Sequence, residues 1–213
     1  MYKRRVLDIG MRQVEVAVAG DRSGTHMLVA RLIWPRPAIA QKISIHTVEL
    51  KAGKLSMDHA SWAQRTLFKE TVMGTCGLEI GVTRKVTKSQ AAKFIHSAYA
   101  SVLTALAADI GVTGEGSAWI GLLRYPLRYL AGEVKAPSRD TPPMTALGAL
   151  DLRSDQIGPA GEPLVLDVPL SAPEDVYQTT QRMRRGELAG SRKRVLKSGE
   201  PAGKVQVEIV AYN

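Results

Sequence analysis

Alternating hydrophobic and polar residues dominate the first 85 positions of the chain and predict β-strands. Val14, Val16 and Val18 recur at every second position, which is typical of a strand with one buried face. Further strands are predicted at 26–34, 43–47, 65–73 and 77–84. Prolines or glycines separate most of these segments, and we therefore expect an antiparallel sheet whose consecutive strands are joined by turns.

A change of periodicity after residue 86 predicts a helix over about 88–110. The segment Thr87-Lys88-Ser89-Gln90 fits a capping box, in which the Thr and Gln side chains accept hydrogen bonds from unpaired backbone N–H groups. Gly111 marks the end, because glycine tolerates the left-handed conformation that follows many helices. An apolar stripe at spacings of three or four predicts packing of one side on a core: Ala91, Ile95, Ala98, Val102 and Leu106.

The last third of the chain combines strands with shorter helices. A short helix is predicted at 117–123 and a strand at 164–168. Ser171-Ala172-Pro173-Glu174 fits a second capping box and predicts a helix that ends near Arg184. The runs 192–197 and 204–212 predict a closing hairpin.

These elements together predict a β-rich α+β fold. Strands at both ends with helices between them argue against a doubly wound parallel sheet, in which strands and helices alternate. We expect an antiparallel β-sandwich or a strongly curved sheet, with the long helix of about 88–110 packed on it and a shorter C-terminal helix. We treat 1–213 as a single domain, in which the proline-rich segment 137–143 is the one candidate boundary.

Cysteine content and hydrophobicity indicate the compartment. The single cysteine, Cys76, cannot form an intrachain disulfide, and this favours the reducing cytoplasm. Asp8 interrupts the apolar run that an export signal requires. No stretch approaches the roughly 18 consecutive apolar residues of a transmembrane helix. The sequence therefore predicts a soluble cytoplasmic protein.

The formal net charge of +9 is distributed unevenly. Residues 1–111 carry 16 basic and 8 acidic side chains, 112–181 carry 5 and 9, and 182–213 carry 8 and 3. The C-terminal segment is therefore the most concentrated basic region. Its eight basic residues are the predicted partner-binding residues: Arg182, Arg184, Arg185, Arg192, Lys193, Arg194, Lys197 and Lys204. Gly186 and Gly190 suggest a mobile arm.

Three kinds of acidic partner fit such a segment. An acidic protein surface is the first expectation, because guanidinium groups match carboxylates in geometry as well as in charge. Nucleic acid is the alternative, although no aromatic residues are interleaved with the cluster for stacking on bases. An anionic membrane surface would also satisfy the charge.

Candidate catalytic chemistry is sparse. Cys76 lies on a predicted turn between Gly74 and Gly77, and His46, His59 or His96 would have to serve as its base. We place His46 on the polar face of its strand. The histidines lack the spacings that form a metal site, and no cofactor motif is present, so no metal or cofactor is expected. We therefore favour a non-enzymatic interaction or assembly module, with a nucleic-acid-binding subunit as the first alternative and a hydrolase using Cys76 or a histidine cluster as the second.

Overall fold

Antiparallel strands make up most of the structure, a computed structural model that describes residues 4–17, 23–35, 41–95, 130–131, 144–184 and 187–212, with the backbone alone for 130–131 and 178–193. The described strands are β1 (Arg4–Val16), β2 (Gly24–Ile33), β3 (Lys42–Leu50), β4 (Lys54–Ser56), β5 (Thr66–Met73), β6 (Thr75–Thr83), β7 (Leu130–Ala131), β8 (Met144–Arg153), β9 (Pro163–Ser171), β10 (Val176–Arg184), β11 (Glu187–Leu196) and β12 (Pro201–Tyr212). The described helices are α1 (Trp62–Arg65) and α2 (88–95).

Ten of these strands form one sheet, in the order β4-β1-β12-β9-β8-β6-β2-β3-β7, with β5 also paired to β1. The turn between β3 and β4 is closed by an antiparallel bridge between Lys51 and Lys54. This bridge brings the two ends of the strand order together, so the sheet is strongly curved and nearly closed. The strand-rich, curved fold that the sequence predicts is therefore confirmed.

The main core fills the inside of the curved sheet. Alternate residues of β12 point inward and are fully buried, among them Val205, Val207 and Ile209. They pack with the inward side chains of β1 and with Phe68 of β5. Each such aliphatic side chain stabilises the fold by roughly 1.5–3 kcal/mol relative to an exposed one.

A second, smaller core lies under α2 on the opposite side of β2 and β3. Ala91 is buried against this cluster, and Phe94 and Ile95 are partly buried beside it. The predicted capping box is present, since the Gln90 backbone N–H donates to Thr87 Oγ1 at 3.2 Å and the Thr87 N–H donates to Gln90 Oε1 at 2.9 Å. The start of the predicted helix is thus confirmed. Its continuation over 96–110, and the predicted helix at 117–123, lie outside the described residues.

The predicted C-terminal helix is wrong, because residues 176–184 form strand β10. Ser171 ends β9, and its hydroxyl donates to the Leu147 carbonyl at 3.3 Å instead of capping a helix. The Ala172 N–H bonds to the Glu200 carbonyl at 2.9 Å. The sheet thus uses the polar groups that a helix cap would need, and the β-branched and aromatic residues of β10 pair with β11 instead.

Candidate interaction surface

β10 and β11 follow β9 and precede β12 in the sequence, and they form a separate two-stranded antiparallel sheet. We call this element the basic hairpin (residues 176–196). Its ladder runs from Val176 opposite Leu196 to Arg184 opposite Glu187. Gly190 is paired with Gln181 inside this ladder, so it belongs to a strand and not to the mobile link that the sequence suggested. A strand of this length spans about 30 Å.

The ladder fixes the backbone positions of five of the eight predicted binding residues. Arg182 and Arg184 lie in β10, opposite Ala189 and Glu187. In β11, Arg192, Lys193 and Arg194 lie opposite Thr179, Gln178 and Tyr177 respectively. Lys197 is exposed directly after β11, and Arg185 lies outside the described residues. The structure therefore gathers most of the predicted set on one two-stranded element.

Lys204 does not belong to the basic hairpin. It lies on β12 of the large sheet, where its ammonium contacts Asp167 Oδ2 at 2.7 Å. This contact raises the pKa of Lys204 above its usual value, and the same contact, together with a hydrogen bond from Gln206, lowers the pKa of Asp167. The charge of Lys204 is thus engaged within the sheet.

Asp175 links the start of β10 to the end of β11. Its carboxylate accepts hydrogen bonds from the Ser198 backbone N–H at 3.0 Å and from the Tyr177 hydroxyl at 3.4 Å, and it contacts the Arg194 guanidinium at 3.4 Å. The Ser198 bond, followed by the contact with Arg194, holds the pKa of Asp175 below its usual value of 3.8. This carboxylate therefore holds the first residues of β10 next to the last residues of β11.

We expect Asp175→Ala to loosen the basic hairpin while the large sheet stays intact. Because the pKa of Asp175 is lower in the folded protein, the stabilisation is present above pH 4 and is lost only as the pH falls through that lowered value. Hydrogen exchange at neutral pH should be several-fold faster for the amides of Tyr177 and Leu196 and unchanged for β12. Asp155→Ala is the matched control, since Asp155 is an exposed carboxylate paired with Arg153 in another loop. Equal exchange in both variants would contradict this role.

A second notable surface lies on the outer side of β5, β1, β12 and β9, and we call it the Trp62–Tyr212 face. Every large hydrophobic side chain that is exposed within the described residues lies on this face: Trp62, Met73, Val165 and Tyr212. The ammonium of Lys69 lies 5.9 Å from the Trp62 ring centre and 5.7 Å from that of Tyr212. The sequence pattern does not reveal this surface, because Trp62 and Tyr212 are separated by most of the chain.

Cys76 is buried in the main core rather than presented on a turn. It lies in β6 opposite Leu152, fully inaccessible to solvent. Burial, with a smaller contribution from Asp151, raises the pKa of its thiol to about 11. The nucleophilic thiolate is therefore a minor species at neutral pH.

The histidines do not form a cluster in the described part of the chain. His26 is buried, with Nδ1 3.0 Å from the Thr83 carbonyl oxygen, whereas His59 is exposed. The placement of His46 on a polar face is wrong: it is buried, with Nε2 2.9 Å from Ser44 Oγ. Both faces of β3 are covered at this point, by the main core on one side and by α2 on the other. His96 lies outside the described residues.

Within the described ranges, no group of three or more His, Cys, Asp or Glu side chains could hold a metal ion. None of the helices in this part of the chain is both long enough and apolar enough to cross a bilayer. The chain matches no known family model, and no curated protein is similar to it. What the fold and surfaces define is therefore a class: a strand-rich protein with a nearly closed antiparallel sheet and an attached basic hairpin.

Proposed function

We propose that this chain is a non-enzymatic binding module whose basic hairpin engages an acidic macromolecule. The observation that carries the proposal is the pairing of β10 with β11, which brings two basic stretches of the sequence onto one element. Between residues 176 and 197 the chain has seven basic side chains and one acidic side chain, Glu187. An isolated two-stranded ribbon with this charge attracts polyanions and repels cationic surfaces.

An acidic protein surface is the first candidate partner. Five of the seven basic side chains are arginines, whose planar guanidinium groups form paired hydrogen bonds with carboxylates. Tyr177 is the only aromatic residue between 176 and 197, and it lies at the root of the hairpin, so the hairpin itself offers little for stacking on bases. Association would thus rest on charge and on the shape of the ribbon.

Nucleic acid is the second candidate, and the shape of the hairpin favours it. The major groove of a DNA duplex admits a two-stranded β-ribbon, and lysines and arginines on such a ribbon contact phosphates on either side. The protein would then serve as a nucleic-acid-binding subunit of a larger assembly. An anionic membrane surface would need only the charge.

The cytoplasm is our proposed compartment. The chain has one cysteine, which is a buried free thiol and so needs no oxidising environment.

The proposal predicts salt-sensitive binding of the full chain to polyanions. Titrations with polyglutamate, a DNA duplex, a single-stranded oligonucleotide and vesicles of anionic lipid, each at about 50 and 200 mM salt, would identify the partner class. A phosphate-binding protein that makes six or more contacts loses roughly 10³-fold or more in affinity over this range. The preferred probe indicates the partner, whereas the absence of measurable binding to all four at the lower salt would reject the function.

A further inference from the structure

We propose that the Trp62–Tyr212 face binds single-stranded nucleic acid, with bases stacked on the two aromatic rings and phosphates held by neighbouring cations. This inference goes beyond the basic hairpin and is carried by different residues. It concerns the opposite end of β12, since Tyr212 is the last described residue of that strand and the hairpin adjoins its first residue, Pro201. About 35 Å separates the two ends of this strand.

The aromatic side chains of the face are exposed enough to accept a base. Trp62 is 45% exposed and Tyr212 is 44% exposed. Most other large hydrophobic side chains in the described ranges are covered, so two exposed rings stand out. Every base has a flat π-surface, so exposed rings bind single strands with little dependence on sequence. In a duplex the bases are already stacked and paired, and the rings cannot reach them.

The Trp62 ring is held in place before any ligand binds. Its indole N–H donates to Asp8 Oδ2 at 2.6 Å, and Asp8 is buried beneath it on β1. The helix that carries it, α1, is closed at its start by a capping box between Ser61 and Gln64. A side chain with a fixed orientation loses little conformational entropy on binding, and this favours a role as a stacking platform.

Lys69 connects the two rings and supplies a positive charge between them. It lies opposite Asp8 in the ladder of β5 and β1, and Tyr212 lies opposite Val6 on the other side of β1. Its ammonium is within cation–π distance of both ring centres. A phosphate placed between two stacked bases would meet this ammonium.

Two acidic groups of the face have hydrogen-bond donors or cations beside them. Asp8 accepts the indole N–H, and Glu208 lies 3.8 Å from the Arg12 guanidinium and 3.6 Å from that of Arg65. Arg4, which is exposed at the start of β1, adds a further cation. The face is therefore aromatic and cationic, which complements a single strand better than it complements an acidic peptide or a second copy of this chain.

The test is a titration of the full chain with labelled single strands of about 12 nucleotides, dT and rU, and with a duplex of the same length, at about 50 mM salt. Stacking on one ring predicts that Tyr212→Ala weakens single-strand binding at least about fivefold, whereas Tyr212→Phe stays within about twofold because the ring is kept. Saturation should quench tryptophan fluorescence, and this quench should be lost in Trp62→Phe. Val165→Ala is the control, since Val165 is an exposed side chain of the same face without an aromatic ring.

Several outcomes would overturn the inference. Absence of single-strand binding at about 50 mM salt would do so, as would equal affinities of the Tyr212→Ala and parent proteins. If Tyr212→Ala lost as much affinity for the duplex as for the single strand, stacking of bases on this ring would be excluded. If the parent protein were a dimer that dissociates in Tyr212→Ala, the face would be assigned to self-association instead. Circular dichroism of each variant establishes that it is folded. If Tyr212→Ala is not folded, the inference is still tested by the tryptophan quench, which must appear in the parent protein and be lost in Trp62→Phe. A failure here leaves the basic hairpin's partner untouched, because polyglutamate binding is measured separately.

Discussion

Replacing Gly203 by alanine should destabilise the protein by about 3 kcal/mol or more. Gly203 lies at the start of β12, opposite Val16 of β1, with a φ of +139°. A Cβ at this position would overlap the Glu15 carbonyl oxygen and lie 2.8 Å from Val16 Cα. Because these contacts are with backbone, the β1–β12 ladder would have to separate to relieve them. The expected loss appears as a lower midpoint in urea unfolding followed by circular dichroism.

Gly199→Ala is the matched control for this prediction. Gly199 also has a positive φ, +83°, but a Cβ there would have no atom within 4 Å. Its substitution should therefore cost only the roughly 1–2 kcal/mol of left-handed backbone strain. Equal destabilisation by the two substitutions would mean that strain alone matters and that the strands at Gly203 can move apart freely.

Two of the strands that the sequence predicts correctly have one clearly buried face. Val14 and Val16 of β1, like Val205 and Val207 of β12, show the alternation directly, and the structure buries all four. β8 escaped prediction because its composition obscures that alternation. Gly148 lies where a Cβ would overlap the Pro169 carbonyl oxygen, so close approach of β9 requires a small residue at this point. Small residues have weak strand preference, and the reason for their presence lies in a strand that is distant in sequence.

The error at β10 has a related cause. Ser171-Ala172-Pro173-Glu174 has the residues of a helix start, and a local pattern cannot show that the Ala172 N–H will instead bond to Glu200. The pairing of β10 with β11 decides the conformation, and it joins residues up to 20 positions apart. The basic cluster was therefore evident from the sequence, whereas its arrangement on a ribbon depended on non-local contacts.

The Trp62–Tyr212 face shows the same limit for a surface. Low aromatic content argued against stacking on bases, but composition does not reveal where the few aromatic residues meet. Trp62 and Tyr212 come together because β1 pairs with β5 on one side and with β12 on the other. The one local signal was Asp8, a polar residue between the buried Leu7 and Ile9 on β1. A polar residue at this position points to the outer side of the strand, and the Trp62 ring lies over it there.

Reversing three charges of the basic hairpin should weaken binding to the preferred polyanion by roughly a hundredfold. The variant Arg182→Glu/Arg192→Glu/Lys193→Glu leaves Arg194 in place, because Arg194 contacts Asp175 at the root of the hairpin. Each substitution removes an attraction to the polyanion and adds a repulsion. The measurement is a titration with whichever of the four probes the parent protein binds best, at about 50 mM salt.

The control must change the net charge by the same amount elsewhere. Lys85→Glu/Lys88→Glu/Lys93→Glu does so on and next to α2, where all three lysines are exposed. If the hairpin binds phosphates directly, the slope of log affinity against log salt concentration should also become shallower in its variant, by about one unit for each phosphate that is no longer bound. The control variant should shift the affinity only slightly. Equal reductions of affinity in the two variants would show that net charge alone attracts the polyanion, and the assignment of the partner to the basic hairpin would then be wrong.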